Sequence, residues 1–542
     1  MQRSTLAKRL IILLFVVTIV LYFYGLGQLP LVGPDEPRYA QVAREMFLRG
    51  DLVTPTLAGH TWFEKPALLY WMMIAAYAVF GVNEFAARLG PTLCGLLTVL
   101  GVWVFSRQIE RRHPEELRGL GTWGTLAIVT SLGMIVFSRG ATFDVVVTMP
   151  ITWALVSFLL YDDGEKNKTL LLFGFYVAIG LALLAKGLVG FVVPAGVIAL
   201  YYLLARKRPQ RDFLVSLIWG LPLAVLVSAM WYGPVIARHG WPFINEFFVQ
   251  HHFARYVSYK YHHRQRFYFY LPILLMLAVP WSAIFIDAVA RLRFPKHSEA
   301  KSDERLKMFA VSWIVFTVVF FSLSGSKLPA YVLPALPAVA ILTGDRMRQL
   351  VVGSNTSWSL VATGLIAIAL GAGGLYYTNK VGVVSLSRAM IIALPLLISG
   401  GAAINLRRKA TAALLVIAFG SMFSIFAVVR LAAFQIAQRE SVRDLIATAD
   451  RRGLSAAPIF IRRGSDRTAE FYASSRVVYG ADGEPKRLEE FPEIMAEAKQ
   501  RGETILALMP VEHLEEYRRS PQVEIVVDNG NLALIAVNSD SH

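Results

Sequence analysis

Apolar runs of about 20 residues, the length a helix needs to span a bilayer core, recur along this chain. A backbone that enters lipid must satisfy its own hydrogen bonds, so each run is committed to helix. Leu10 to Leu26, Ala87 to Phe105 and Val361 to Tyr377 are examples. With 542 residues, 55% of them hydrophobic and only 17% charged, the composition excludes a soluble globular protein. The first run follows Arg3, Lys8 and Arg9, exceeds a signal-peptide core and lacks an A-x-A-like cleavage site. It therefore reads as a retained signal anchor with its N-terminus in the cytoplasm. The single cysteine, Cys94, lies inside an apolar run, which excludes an internal disulfide and a thiolate metal cluster. A net charge of +16 would suit nucleic acid in a soluble protein. In a multi-span chain it marks cytoplasmic loops instead, and no nucleic-acid partner is expected.

Thirteen spans are expected: Leu10 to Leu26, Ala87 to Phe105, Leu120 to Phe137, Val145 to Tyr161, Leu170 to Ala185, Leu188 to Ala205 and Phe213 to Ile236, then Phe269 to Val289, Met308 to Leu323, Pro329 to Thr343, Val361 to Tyr377, Met390 to Ile404 and Thr411 to Leu431. Pro66 to Phe80 is also apolar, and the loops decide its place. If it crossed, the basic clusters Arg107, Arg111, Arg112, Arg118 and Arg206, Lys207, Arg208, Arg211 would both lie outside. If it lies in the interface, both fall inside, as the charge bias of cytoplasmic loops requires. Tyr70, Trp71 and Tyr77 suit that interfacial position, so Pro66 to Phe80 reads as a juxtamembrane helix. Four segments are then placed outside: Gln28 to Lys65, Ser138 to Asp144, Ala237 to Arg266 and Ser324 to Leu328. After Leu431 the long apolar runs stop. Strands are expected at Pro458 to Ile461, Arg476 to Tyr479, Thr504 to Met509, Val523 to Val527 and Leu532 to Val537, with an amphipathic helix from Arg487 to Gln500. This gives a polytopic α-helical membrane domain over 1–431, with outer juxtamembrane helices at about 34–80, and a small soluble α/β domain over 432–542, placed outside by the odd span count.

The outer segments hold the chemistry. Gly33-Pro34-Asp35-Glu36-Pro37-Arg38-Tyr39 puts two carboxylates and an arginine at i+3 on one helical turn, although either acid could simply cap the helix that starts near Pro37. Trp62-Phe63-Glu64-Lys65-Pro66 wedges a charged pair between aromatic and apolar residues, where a lysine can hold a lipid phosphate. Asp144 stands directly before an apolar span, a costly place for an unused carboxylate, with Arg139 its nearest candidate partner. The stretch from Phe247 to Tyr256 carries His251, His252 and Arg255, but no i, i+4 histidine spacing that would signal a metal. Lys327 and Tyr331 sit at the mouth of another span, where a lone lysine is commonly an interface anchor.

Together these motifs resemble the lipid A aminoarabinose transferases and the protein O-mannosyltransferases, members of the GT-C glycosyltransferase superfamily. The resemblance rests on Asp35-Glu36 with Arg38-Tyr39, the Phe-Glu-Lys-Pro motif, the Arg-x-x-x-x-Asp segment ending at Asp144, the Phe-Phe-x-x-x-His-x-x-Arg-Tyr stretch and the late Lys-Leu-Pro-x-Tyr motif. It implies a multi-pass enzyme of the bacterial inner membrane, with its active site and C-terminal domain periplasmic. Such an enzyme takes a sugar from a polyprenyl-phosphate donor and passes it with inversion to lipid A, a protein or another envelope glycan. It implies catalytic roles for Asp35 and Asp144, and zinc ligation by Glu64 and His252; two ligands transfer where a structural zinc site normally has four.

Chemically, a polyprenyl phosphate monoester is a good leaving group whose growing charge calls for cations. Lys65, Arg255 and Lys327 are the candidates, with Arg38, Tyr39 and Tyr331 beside them. An acceptor hydroxyl needs a base, which Asp35 can supply with Glu36 adjacent; an acceptor phosphate needs only positioning. The rival reading is a secondary transporter or flippase, which would gather ionisable groups near the midplane rather than at outer helix ends.

Overall fold

A computed structural model describes the chain except residues 1, 165, 255–264, 294–301, 354–356, 383, 463–466, 481–482, 489, 519 and 540–542, and without the side chains of 2–5, 251–254, 381 and 474. Its helices are α1 (Gln2–Phe23), α2 (Glu36–Arg49), α3 (Leu68–Phe80), α4 (Glu84–Arg112), α5 (Leu120–Val129), α6 (Leu132–Ser138), α7 (Phe143–Asp162), α8 (Lys168–Lys186), α9 (Val189–Leu204) and α10 (Arg211–Ile244). They continue as α11 (Tyr270–Leu277), α12 (Ser282–Ala290), α13 (Ser302–Ser322), α14 (Leu336–Val352), α15 (Trp358–Val381), α16 (Leu386–Asn405), α17 (Ala410–Val428), α18 (Phe434–Arg439), α19 (Arg443–Arg451), α20 (Ala469–Tyr472) and α21 (Phe491–Arg501). Two compact units emerge, one of residues 1–24, 63–69 and 90–428, the other of 25–62, 70–89 and 429–542.

The first unit is the helical membrane bundle. Among the described residues nine helices are long and apolar enough to cross a bilayer, or up to eleven spans if each of two bent pairs counts as one. The pairs are α5 with α6, bent by 55°, and Phe267–Leu277 with α12, bent by 118°. The remaining two of the thirteen expected runs fall on α9 and on the 3-10 turn Pro329–Ala335 that leads into α14. All thirteen runs are therefore helical; what the count alone did not foresee is that two are broken and two are short.

The two breaks meet: Leu132 N, at one break, donates to Val279 O, at the other, at 2.8 Å, and the Trp281 indole donates to Thr130 Oγ1 at 2.8 Å. Charged side chains gather at the helix ends assigned to the cytoplasm, where Lys207 pairs with Asp162 at 2.9 Å, Arg112 with Asp163 at 3.1 Å and Arg346 with Asp287 at 2.7 Å. These pairs join residues that the span count had put on one side.

Small residues set the tightest helix contacts, as expected where lipid supplies no hydrophobic drive between helices. A Cβ added at Gly344 of α14 would lie 2.4 Å from the Gly124 Cα of α5, so neither backbone could give way cheaply. Gly344→Ala is expected to cost about 1–3 kcal/mol by overpacking. Thermal unfolding of the full chain in detergent checks this, and an unchanged midpoint would mean that α5 and α14 are not in contact.

The second unit carries a four-stranded sheet of β3 (Ile459–Ile461), β4 (Ile505–Pro510), β5 (Val523–Asp528) and β6 (Leu532–Val537), in the order β3-β4-β6-β5. A separate hairpin of two-residue strands, β1 (Thr56–Leu57) with β2 (His60–Thr61), lies between α2 and α3. Period-2 alternation gives the four-stranded sheet two apolar faces. Ile459, Ile461, Leu506 and Leu508 pack against Leu445, Ile446 and Ala449 of α19, while Phe460, Ile505, Ala507 and Met509 pack against Ile494 and Ala498 of α21. Four expected strands are present; Arg476 to Tyr479 forms only isolated bridges, such as Ile459 with Val477.

This unit also contains residues 25–62, which precede the Phe63-Glu64-Lys65 motif. Leu31 N donates to the Tyr472 hydroxyl at 2.8 Å, Tyr472 donates to Glu84 at 3.0 Å, and Arg44 donates to Phe471 O at 3.3 Å. Leu48, Leu52, Val79 and Phe80 stay exposed on and beside α2 and α3.

Candidate active site

In the second unit, the adjacent acids Asp35 and Glu36 have different surroundings. Asp35 is the N-cap residue of α2 but makes no capping hydrogen bond; its carboxylate accepts from Arg38 Nη2 at 2.8 Å and stays substantially exposed. Capping therefore does not account for it. The Arg38 guanidinium also lies 5.3 Å from the Trp62 ring centroid and 5.7 Å from that of Tyr39, which itself packs edge-on against Tyr70. Asp35 is thus an accessible carboxylate held in place by an arginine.

Glu36 is committed elsewhere. It is buried and takes two hydrogen bonds from Arg88, at 3.0 and 2.8 Å, plus the Val32 amide at 3.1 Å. Arg88 in turn donates to the carbonyls of Leu26, Leu29 and Pro30. The pair fastens the loop that leads into α2, so the geometry gives Glu36 a structural task in place of the expected catalytic one.

In the first unit, Lys65 Nζ donates to Glu64 Oε1 at 2.8 Å, with both side chains largely but not fully buried. Phe63 anchors this motif. Its ring, 2% exposed, sits edge-on to His239 at 5.0 Å and Phe243 at 5.1 Å. Phe243 continues into a cluster with Trp231, Tyr232 and Phe247. The cluster lies at the end of α10, where Gly240 breaks the helical path with φ +57°, a conformation that favours glycine.

Asp144 occupies the first turn of α7, and its partner is Lys186, not the expected Arg139. Lys186 Nζ lies 2.5 Å from Asp144 Oδ1 and 4.5 Å from the Tyr331 ring centroid. Arg139 instead closes the C-terminal end of α1 by donating to the carbonyls of Leu21, Tyr22 and Tyr24, a favourable place for a cation. Lys327 is buried and donates to Ser324 O at 2.8 Å, holding its own turn. Tyr331 packs against Phe321 at 5.6 Å. Arg255 lies outside the described residues, and so does the side chain of His252. Among the described residues no three His, Cys, Asp or Glu side chains converge on a possible metal, and the described partner of Glu64 is an ammonium.

Lys186 and Arg88 were both missed, for different reasons. Lys186 carried a signal: by the span count, Lys186-Gly187 is an outer two-residue turn between the runs Leu170 to Ala185 and Leu188 to Ala205. The turn was too short to count as a segment. Arg88 looked like one more charge near a helix start, and only the carbonyls it meets reveal its task.

Residues 8–239 match the family of dolichyl-phosphate-mannose-protein mannosyltransferases. The chain is 32% identical over 350 residues to an undecaprenyl phosphate-alpha-4-amino-4-deoxy-L-arabinose arabinosyl transferase of Pseudomonas paraeruginosa, a region covering 62% of this chain and 60% of that protein. It is 31% identical over 338 residues to the protein of the same name from Serratia proteamaculans, covering 61% and 58%. The chain thus spans about 60% of the length of the curated relatives it matches. A crystal structure of ArnT from Cupriavidus metallidurans bound to undecaprenyl phosphate aligns with a TM-score of 0.79 and 25% identity, over 97% of each chain. These likenesses bear out the resemblance to the aminoarabinose transferases and protein mannosyltransferases, and the multi-span fold.

Proposed function

We propose that this chain is a GT-C glycosyltransferase that moves a sugar from undecaprenyl phosphate to an envelope acceptor, with its site at the periplasmic face of the bacterial inner membrane. The observation that carries the reading is Lys65, an ammonium held by Glu64 at 2.8 Å on an aromatic-anchored motif, in a chain similar to enzymes named for an undecaprenyl-phosphate sugar. A lipid phosphate is what such a cation suits. In the reaction the acceptor oxygen attacks the anomeric carbon and the bond from that carbon to the phosphate oxygen breaks. The polyprenyl phosphate then leaves with one more negative charge, which Lys65 stabilises more strongly than it does the donor. Where the acceptor is a hydroxyl, its proton passes to a general base; where it is a phosphate, no proton is released.

The charge pattern of the first unit favours this over transport. Its described ion pairs lie at helix ends, as with Lys186–Asp144 and Lys207–Asp162, where a transporter would carry them at broken helices near the midplane. Mass spectrometry of lipid A, envelope proteins and polysaccharide from cells with and without the chain is expected to find one acceptor lighter by a single sugar when the chain is missing. Identical profiles of all three under conditions where the chain is made would refute the reading.

A further inference from the structure

The first unit holds a second cation that the motif reading did not use. Lys186 is the last residue of α8, and its ammonium is directed from two sides, by Asp144 at 2.5 Å and by the face of Tyr331 at 4.5 Å. An ammonium has three donors, and Asp144 takes one of them. Lys186 and Asp144 keep 15% and 16% of their side-chain surface open, so the pair is reachable. Its backbone is held as well: the Tyr232 hydroxyl donates to Leu183 O, in the last turn of α8, at 3.1 Å. Tyr232 belongs to the aromatic cluster against which Phe63 packs, two residues before Lys65, and Phe243 touches both rings. One rigid aromatic group therefore braces the segments that carry both lysines.

Asp144 faces an ammonium and lies in the first turn of α7, where the helix dipole favours negative charge.

We infer that Lys186 is a second cation facing the donor phosphate, and that Asp144 is its positioning residue and not a base. The inference rests on the proposed lipid-phosphate-dependent transfer. As the anomeric carbon–oxygen bond breaks, both bonding electrons stay on the phosphate oxygen, and Lys65 and Lys186 meet that charge together. A hydroxyl acceptor's proton goes to a general base other than Asp144, which stays paired with Lys186.

The test uses the full chain in detergent, with synthetic undecaprenyl-phosphate sugar for turnover and with undecaprenyl phosphate and undecaprenol for binding. Lys186→Met is expected to lower the single-turnover rate on the order of 100-fold. It should also weaken undecaprenyl phosphate while leaving the uncharged alcohol unaffected, a selectivity that a merely structural lysine would not carry. Lys186→Arg should keep most of that selectivity. Asp144→Asn should lose much of the rate, and adding it to Lys186→Met should cost little more, because the two act as one unit. The inference is overturned if Lys186→Met keeps its rate or its preference for the phosphate, or if the two losses multiply. It is also overturned if Lys186→Met, Lys186→Arg and Lys186→Gln all fail to accumulate, which would make the lysine structural. A wild-type chain that turns over no donor would instead sink the proposed function.

Discussion

Lys65→Met is expected to slow single-turnover sugar transfer by about 100-fold to 1,000-fold, the usual effect of removing one preorganised group from a developing charge. Methionine keeps much of the apolar stem, so the lost charge dominates. That loss corresponds to about 3–4 kcal/mol of transition-state stabilisation. Donor affinity should fall far less, because burial of the apolar polyprenyl chain supplies much of it. Rapid-quench turnover and equilibrium donor binding, measured on the same preparation, separate the two. A loss confined to binding would reduce Lys65 to a docking residue, and unchanged turnover would remove it from the mechanism.

The second large effect falls on stability. Arg88→Met strands Glu36, buried and without the guanidinium that neutralises it, and deprives three loop carbonyls of their donor. Breaking a buried pair from one side costs about 3–5 kcal/mol, enough to unfold many proteins. The variant should accumulate poorly and unfold at lower temperature in detergent. Replacing Glu36 as well, by methionine, should recover part of the loss, because the stranded charge is then gone. A stable but inactive Arg88→Met protein would return Glu36 to the chemistry, since the pair would then matter for turnover and not for folding.

Spans were legible because lipid forces one solution on an apolar run, whereas their breaks were not, because a break depends on a partner far away in sequence. Leu132 N donates to Val279 O from 147 positions away in the chain, and nothing local to either predicts it. The C-terminal sheet was legible from its alternation, apart from Arg476 to Tyr479, whose bridges are too few to make a strand. The candidate site was legible as motifs but not as partners. Asp35 and Arg38 are neighbours on one helical turn, and the sequence spacing already pairs them. Asp144 and Lys186 stand 42 positions apart, on helices whose facing ends only the packed bundle defines. Adjacent letters misled at Asp35-Glu36, where one carboxylate is open and the other is locked to Arg88.

The central claim is that a bond to a lipid phosphate is broken at this chain, and the most direct measurement follows that bond. Purified full chain is mixed with undecaprenyl-phosphate sugar labelled in both the sugar and the phosphate, together with lipid A, and both labels are followed. The account predicts that free undecaprenyl phosphate appears in step with labelled acceptor, one for one, with Lys65→Met slow in both. Labelled donor that stays intact with every envelope acceptor supplied, or that only changes leaflet when the chain is reconstituted in vesicles, would contradict it.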